Sequence, residues 1–298
     1  MASPSALLNY KLIKKVKDEK FDVDALHHYS LLIQLGVRDM QVGIVDSRDR
    51  QFLLLEDYIF GDLQSNEELL KAIQELFEAH ALLQAGFWKD VSFSIKNNKF
   101  VQVPASLFLA EAAAEYLSFN ATVNPETEDV AHCQVGPDIV TVFAIYRDLK
   151  AWISSIYPHA NVHFAHHSAS LIQGILSAPS HHSHEPLYVY VDRFKMHIAY
   201  KQAGKLVYYN QFVIKHFSDY VKYIMLVLGS LHLDQTKSQV VIWGYIGRNS
   251  PHSQEFAKYI KNVTFGSRPE SMKFGYLFDE VQDHHFYDLY NMYFLAAS

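Results

Sequence analysis

Residues 31–60 read LLIQLGVRDMQVGIVDSRDRQFLLLEDYIF, and residues 187–214 read LYVYVDRFKMHIAYKQAGKLVYYNQFVI. Each stretch is a strand, a tight turn, a second strand, a polar turn and a third strand. Apolar, β-branched and aromatic runs alternate with short turn-forming clusters. Met40 and Met196 fall at corresponding points of the two. A helical stretch follows each copy, opened by Ser65 in the first and by Ser218 in the second. One such meander in each half of a 298-residue chain predicts two related α/β lobes with a cleft between them. The first lobe is expected over residues 1–178 and the second over 186–278. The closing helix, 279–298, is expected to pack back on the first lobe.

The intervening segments fit mixed sheets flanked by helices. Ser65-Asn-Glu-Glu has the capping-box form, with Glu68 three residues after Ser65. Leu69, Leu70, Ile73, Leu76, Phe77 and Ala81 then recur at helical spacing up to Gly86. A short strand at Val91, Phe93 and Ile95 precedes a helix opened by Pro104, and residues 119–137 read as a loop. Strand Ile139–Ile145, helix Arg147–Ile156, strand Val162–Phe164 and a helix through Gly174 complete the first half. Residues 179–186, PSHHSHEP, read as the linker. After the second meander come a helix (Ser218–Leu231), a strand (Val240–Trp243), a helix (Ser253–Lys261) and an aromatic helix (Asp279–Leu295).

Composition excludes several classes. Apolar residues are 49% and charged residues 19%, which is globular composition. A net charge of −6 with no basic stripe argues against a nucleic-acid partner, and the one basic run, KLIKKVKDEK, reads as an arm or first strand balanced by Asp18 and Glu19. Cys133 is alone, so neither an intramolecular disulfide nor a thiolate zinc site is expected. No charged-then-apolar signal opens the sequence, and no apolar run approaches the roughly 20 residues of a membrane span. The expected location is the cytoplasm.

Two meander-led lobes resemble the actin-like ATPase superfold of actin, bacterial actin homologues, the Hsp70 nucleotide domain and sugar kinases. In that superfold the first hairpin reads hydrophobic-Asp-hydrophobic-Gly, and its Asp organises the metal. Here it is Ile33-Gln34-Leu35-Gly36, so an uncharged amide stands at the metal anchor. The second phosphate hairpin, Asp-hydrophobic-Gly-Gly-Gly, corresponds to Tyr190, Val191, Asp192, Arg193 and Phe194, with every glycine lost. Backbone N–H groups approach a phosphate closely only where no Cβ intervenes, and Asp192 would repel phosphate oxygens. The adenosine motif appears as Val241-Ile242-Trp243-Gly244-Tyr245-Ile246, keeping one glycine beside bulky rings. Residues 167–174, HSASLIQG, resemble the small-residue connecting helix of the superfold. The chain also resembles an uncharacterised bacterial family with this fold.

Other constellations point to structure. His181, His182 and His184 with Glu185, or Asp283 with His284 and His285, lack the helical i, i+4 pairing of a zinc site, so no metal is expected. Of His166 and His167, one is expected to face solvent or the cleft. Neither a nucleophile elbow nor a Gly-x4-Gly-Lys-Ser loop occurs. Asp39, Asp46, Asp49, Asp57 and Asp62 read as turn formers, and Asp192 is the acid at the mouth of the expected cleft.

The expected function is a scaffold or protein-interaction module that has lost ATP hydrolysis and carries no cofactor, with an unidentified protein partner. Degenerate members of the superfold in bacterial secretion and pilus assembly offer the analogy. The alternative is a divergent ATPase or small-molecule kinase using ATP and Mg²⁺, and a third possibility is a non-nucleotide ligand lined by Tyr190, Phe194, Trp243 and Tyr245. Cleft positions Gln34, Gly36, Asp192 and Gly244 are the candidate binding residues for any cofactor, and no catalytic residue is assigned.

Overall fold

Leu35 pairs with Met40 across the first hairpin, and Val191 pairs with Met196 across the second. Both turns close the same way, by Gly36 N–H to the Asp39 carbonyl and by Asp192 N–H to the Lys195 carbonyl. The two methionines therefore occupy equivalent places one pair below a two-residue turn, and both are buried. The computed structural model describes residues 10–179, 185–193, 195–247, 256 and 258–296. It divides into two units. Unit 1 comprises Met1–Ser170, Met272–Asp279 and Met292–Ser298; unit 2 comprises Leu171–Ser271 and Glu280–Asn291.

In unit 1, strands β1 (Tyr10–Lys17), β2 (Tyr29–Leu35), β3 (Asp39–Asp46), β4 (Gln51–Phe60), β5 (Asp90–Ile95) and β9 (Asn161–His166) form one sheet in the order β1-β4-β3-β2-β5-β9. The meander is antiparallel, and β5 and β9 are added parallel to β2. Nearly every residue of β2, β3 and β4 is buried, as strands covered on both faces require. A second sheet, β6-β8-β7, is built from β6 (Phe100–Pro104), β7 (Glu128–Val135) and β8 (Ile139–Tyr146). Helix α3 (Ala113–Ser118) covers it through Ala113 and Leu117 against Val103, Val140 and Val142. Helices α1 (Asn66–Glu78), α2 (Ala81–Gln84) and α4 (Arg147–Ile156) complete the set. The chain leaves unit 1 within α5 (His167–Ser177).

In unit 2, β10 (Leu187–Val191), β11 (Lys195–Gln202), β12 (Lys205–Val213), β13 (Gln239–Gly244) and β14 (Asn262–Phe265) follow the order β12-β11-β10-β13-β14. That order repeats β4-β3-β2-β5-β9 of unit 1, so the repeat in the sequence is a repeat in topology. Helix α6 (Phe217–Ser230) packs Val221, Ile224, Val227 and Leu228 on one face of this sheet. Leu171 and Ile175 of α5 and Tyr287 of α7 (Tyr287–Ala296) pack on the other face. Gly174 is indispensable to that packing, because a Cβ there would lie 2.5 Å from the Asn291 amide and 2.7 Å from the Tyr287 ring. Strand β15 (Lys273–Phe274) returns to unit 1 beside β4.

Several local expectations need correction. Ser65 caps α1 as expected, accepting from Glu68 N–H at 3.2 Å. Helix α6 is instead capped by His216, whose ring accepts the Asp219 N–H while the Asp219 carboxylate accepts the His216 N–H at 2.9 Å. A capping box needs an acid three residues on, and Val221 stands there for Ser218. Pro104 ends β6 and opens no long helix; two 3-10 turns lead from it into α3. Residues 128–135, expected in a loop, form β7, where cross-strand pairing with β8 outweighs the polar composition. The aromatic closing helix is split into a 3-10 turn (Tyr276–Glu280) and α7, with Phe286 at φ 57 between them. The expected helix Ser253–Lys261 and the histidines of the linker lie largely outside the described residues.

Candidate functional site

The two hairpin turns are the places where the expected site residues gather, and each is built from within its own unit. In unit 1 the cross-strand register sets Lys14, Asp57, Gln41, Gln34 and Ser94 side by side on β1, β4, β3, β2 and β5. A polar row thus crosses the sheet. The Gln34 amide donates to Gln41 Oε1 at 3.4 Å, and Gln41 Nε2 donates to Asp39 Oδ2 at 3.0 Å and to Asp57 Oδ1 at 2.9 Å. Lys96, one residue beyond β5, donates to Asp39 Oδ2 at 3.0 Å. Both members of this ion pair are buried. Gly36 is the reason they fit: a Cβ there would stand 2.1 Å from Asp39 Oδ1.

The space behind the first turn is therefore taken by a carboxylate of the same hairpin, with an ammonium as its counter-ion. Asp39 and Asp57 are not the solvated turn residues that sequence suggested. Asp46 is also mostly buried, gripped by the Arg48 guanidinium at 2.6 Å, and that hydrogen bond, outweighing burial, lowers its pKa. Asp49 and Asp62 do lie at the surface, near Lys273 and Arg38. Alternation on β3, with Asp39 and Gln41 two residues apart, was the available sign that one face of this strand is polar.

The second turn carries different chemistry at the equivalent places. Asp192 occupies the position of Gly36, Tyr190 that of Gln34, His197 that of Gln41 and Tyr245 that of Lys96. The Asp192 carboxylate accepts the N–H of Arg193 at 2.9 Å. His197 Nδ1 lies 2.8 Å from the Tyr209 hydroxyl. Burial, and then the charge of Asp288, push the Tyr190 hydroxyl well above its ordinary pKa. Arg193 rests on the Tyr245 ring at 4.5 Å. Phe194 lies outside the described residues.

Gly244 sits beside Asp192 at the end of β13, at φ 99, a conformation that favours glycine. A Cβ there would be 2.0 Å from the Val191 carbonyl, and its N–H is donated to the His284 carbonyl at 2.7 Å. Trp243 stacks on Tyr287 at 4.2 Å and on Tyr188 at 5.7 Å, and donates its indole N–H to the Ser267 carbonyl. The retained glycine serves a close backbone approach. Tyr188, Tyr190, Trp243 and Tyr287 pack together as part of the core of unit 2.

His284, Asp283 and His166 have partners of their own. His284 Nε2 is 2.7 Å from the Ile246 carbonyl, and Asp283 pairs with Arg268 at 3.2 Å. His166 stacks on Phe100 and bonds Ser168 at 2.7 Å, and both it and His167 are buried, so neither faces solvent. In unit 1 a cavity of about 560 Å³ opens between β7 and β9, lined among others by Ser92, His132, Cys133, His163 and Met292. Cys133 is half-buried overall, and burial, opposed by the His166 N–H, pushes its thiol up to about 11, so it is not a ready nucleophile.

This architecture is the actin-like ATPase fold. A protein of that fold and of unknown function from Bacteroides thetaiotaomicron VPI-5482 superposes with a TM-score of 0.71 at 21% identity, over 83% of this chain and 93% of that one. A chain of the PilM-PilN type IV pilus biogenesis complex superposes with a TM-score of 0.60 at 12% identity, over 89% and 97%. Residues 18–263 match the family described as protein of unknown function, DUF3822, and the chain belongs to that family. No curated protein matches it. Among the described residues no helix is long and apolar enough to cross a membrane.

Proposed function

We propose that this protein is an actin-like scaffold of the cytoplasm that works by binding other proteins and has lost ATP hydrolysis. One observation carries the reading: the buried acid of the first turn, Asp39, is already paired with Lys96 Nζ at 3.0 Å and so is not available to hold a hydrated cation. Gln34 adds no charge to replace it. The second turn supports the same conclusion. A phosphate brought to about 4 Å from the Asp192 carboxylate meets a repulsion of about 4 kcal/mol at an effective dielectric of roughly 20. Arg193 N–H, a donor that a glycine-rich turn would offer to phosphate, is bonded to that carboxylate instead. Gly244 gives its N–H to His284, and the rings beside it are stacked among themselves. Such residues do not fit a magnesium-bound triphosphate.

Protein binding is supported by analogy of fold alone: a similar chain occurs in a complex named for PilM and PilN. Isothermal titration with ATP and Mg²⁺ tests the proposal. No heat of binding and no phosphate release are expected. Micromolar binding, or turnover abolished by Asp192→Ala, would establish the rival reading, an ATPase or small-molecule kinase.

A further inference from the structure

The connection between β6 and β7, residues 105–127 of unit 1, leaves apolar side chains in water. Among the described residues Phe119 is the most exposed of all large hydrophobic side chains, at 85%. Leu107 and Leu109 of the same connection are 66% and 57% exposed. Single apolar residues scattered over a surface are ordinary, whereas several gathered on one segment mark a contact face. Helix α3 sets the geometry. Ala113 and Leu117, four residues apart, face the sheet and are buried. Glu115 and Phe119 are likewise four apart and share the opposite, exposed face, because the backbone at Phe119 is still helical, at φ −69 and ψ −23. The Tyr116 hydroxyl donates to the Leu107 carbonyl at 2.6 Å and so holds the first 3-10 turn against α3. Tyr116 and Phe119 are three apart on α3, so Leu107 and Phe119 are both neighbours of that tyrosine. Leu109 opens the second 3-10 turn, Ala110–Ala112, which carries Glu111.

Charge says what kind of occupant this face fits. Residues 100–146 contain six acidic residues and neither lysine nor arginine. The whole formal charge of −6 therefore sits in this stretch, and the rest of the chain is neutral in sum. Cations at its two ends neutralise part of it: Lys99 pairs with Glu128 at 2.6 Å, and Arg147 and Lys150 pair with Asp129 at 2.8 Å and 3.4 Å. Glu111 and Glu115, the acids set among the exposed apolar side chains, are themselves exposed and have no ion-pair partner among the described residues. Such a face repels nucleic acid and anionic lipid, and it attracts cationic protein.

We propose that this face binds a basic segment of a partner protein. The segment sets apolar side chains against Leu107, Leu109 and Phe119, and lysine or arginine beside Glu111 and Glu115. The apolar contact supplies most of the affinity, and the charges supply orientation and rate. A second copy of this chain is disfavoured as the occupant, because two copies of one acidic face repel each other. The proposal rests on the protein-binding reading above and adds the chemistry of the partner and its place in the fold.

Fluorescence anisotropy with a labelled amphipathic peptide of leucine and lysine tests it. Binding is expected, and neither a peptide with glutamate for lysine nor one with serine for leucine should bind. Phe119→Ser should weaken binding about tenfold, and so should Glu111→Lys combined with Glu115→Lys. Val23→Ser with Asp24→Lys alters another exposed apolar and acidic pair, on the 3-10 turn Val23–His28, and should leave binding unchanged. The glutamate peptide is expected to bind the protein carrying Glu111→Lys and Glu115→Lys. Misfolding does not produce that exchange of preference, so it decides even where a variant melts early. No binding of the leucine–lysine peptide would overturn the proposal. Binding indifferent to Phe119 and to both glutamates would overturn this surface while leaving the protein-binding reading in place. Self-association abolished by Phe119→Ser would overturn it in favour of a second copy. Titration with ATP reports on the two hairpin turns alone, so failure there is a separate result.

Discussion

Lys96 lies 3.0 Å from the Asp39 carboxylate, both buried in unit 1, and the contact exists because Gly36 leaves room for the carboxylate. The Lys96 ammonium is the buried counter-ion of the Asp39 carboxylate. Removing one partner strands the other in a low-dielectric surrounding, which costs more than the intact pair contributes. Lys96→Met is therefore expected to destabilise the protein by about 3–5 kcal/mol in urea unfolding. Adding Asp39→Asn should recover more than ~1 kcal/mol, since neighbours in one network are not additive. Strict additivity of the two substitutions would show that the pair is not coupled.

Gly244 and Gly229 make a matched test of what glycine does here. At Gly244, φ is 99 and a Cβ would lie 2.0 Å from the Val191 carbonyl. Backbone, unlike a side-chain tip, cannot yield cheaply. Gly244→Ala should lose more than ~3 kcal/mol, combining strain at positive φ with the steric conflict. Gly229, in α6, has nothing within 4 Å of its Cβ position. Gly229→Ala should gain about 0.5–1 kcal/mol from helix propensity. Equal effects at the two sites in chemical denaturation would refute the distinction.

Glu56 predicts an acid-labile step. Burial opposes its ionisation, yet hydrogen bonds with His80 and from Tyr58, both at 2.7 Å, and the Lys15 ammonium at 2.8 Å outweigh burial and hold its pKa at about 2, against an ordinary 4.5. A depressed carboxylate pKa means stability that is present above the unfolded value, near 4.5, and is lost as pH falls through about 2. The contribution at neutral pH is at most ~3 kcal/mol. Unfolding free energy measured from pH 5 to pH 2 should fall less steeply in Glu56→Gln than in the wild type. Parallel curves would assign the acid dependence to other groups.

Cys133 should react slowly in thiol–disulfide exchange. With its thiol pushed up to about 11 by burial, only about one molecule in ten thousand carries thiolate at neutral pH. Native protein with Ellman's reagent is expected to react slowly and denatured protein at once. Rapid native labelling would mean that the β7–β9 cavity admits reagent and solvent freely.

The repeated meander was readable because strand and turn signals are local. Alternation, turn clusters and the placing of Met40 and Met196 all act within about ten residues, and both sheets follow them. Cap positions were readable where the acid three residues on was present, as at Ser65, and misread at Ser218, where it is not. The β7 strand escaped because its partner, β8, supplies the pairing that its own polar sequence does not announce.

What the amino-acid sequence alone determined is the actin-like plan of two duplicated sheets and the residue types at the two turns. Tertiary structure alone decided that Asp39 is a buried ion-pair partner, that Lys96 meets it, and that Trp243 is sandwiched between Tyr188 and Tyr287. The physical reason is range. Backbone hydrogen bonding follows short-period patterns, whereas Lys96 and Asp39 are 57 residues apart and meet only when β5 is laid beside β2.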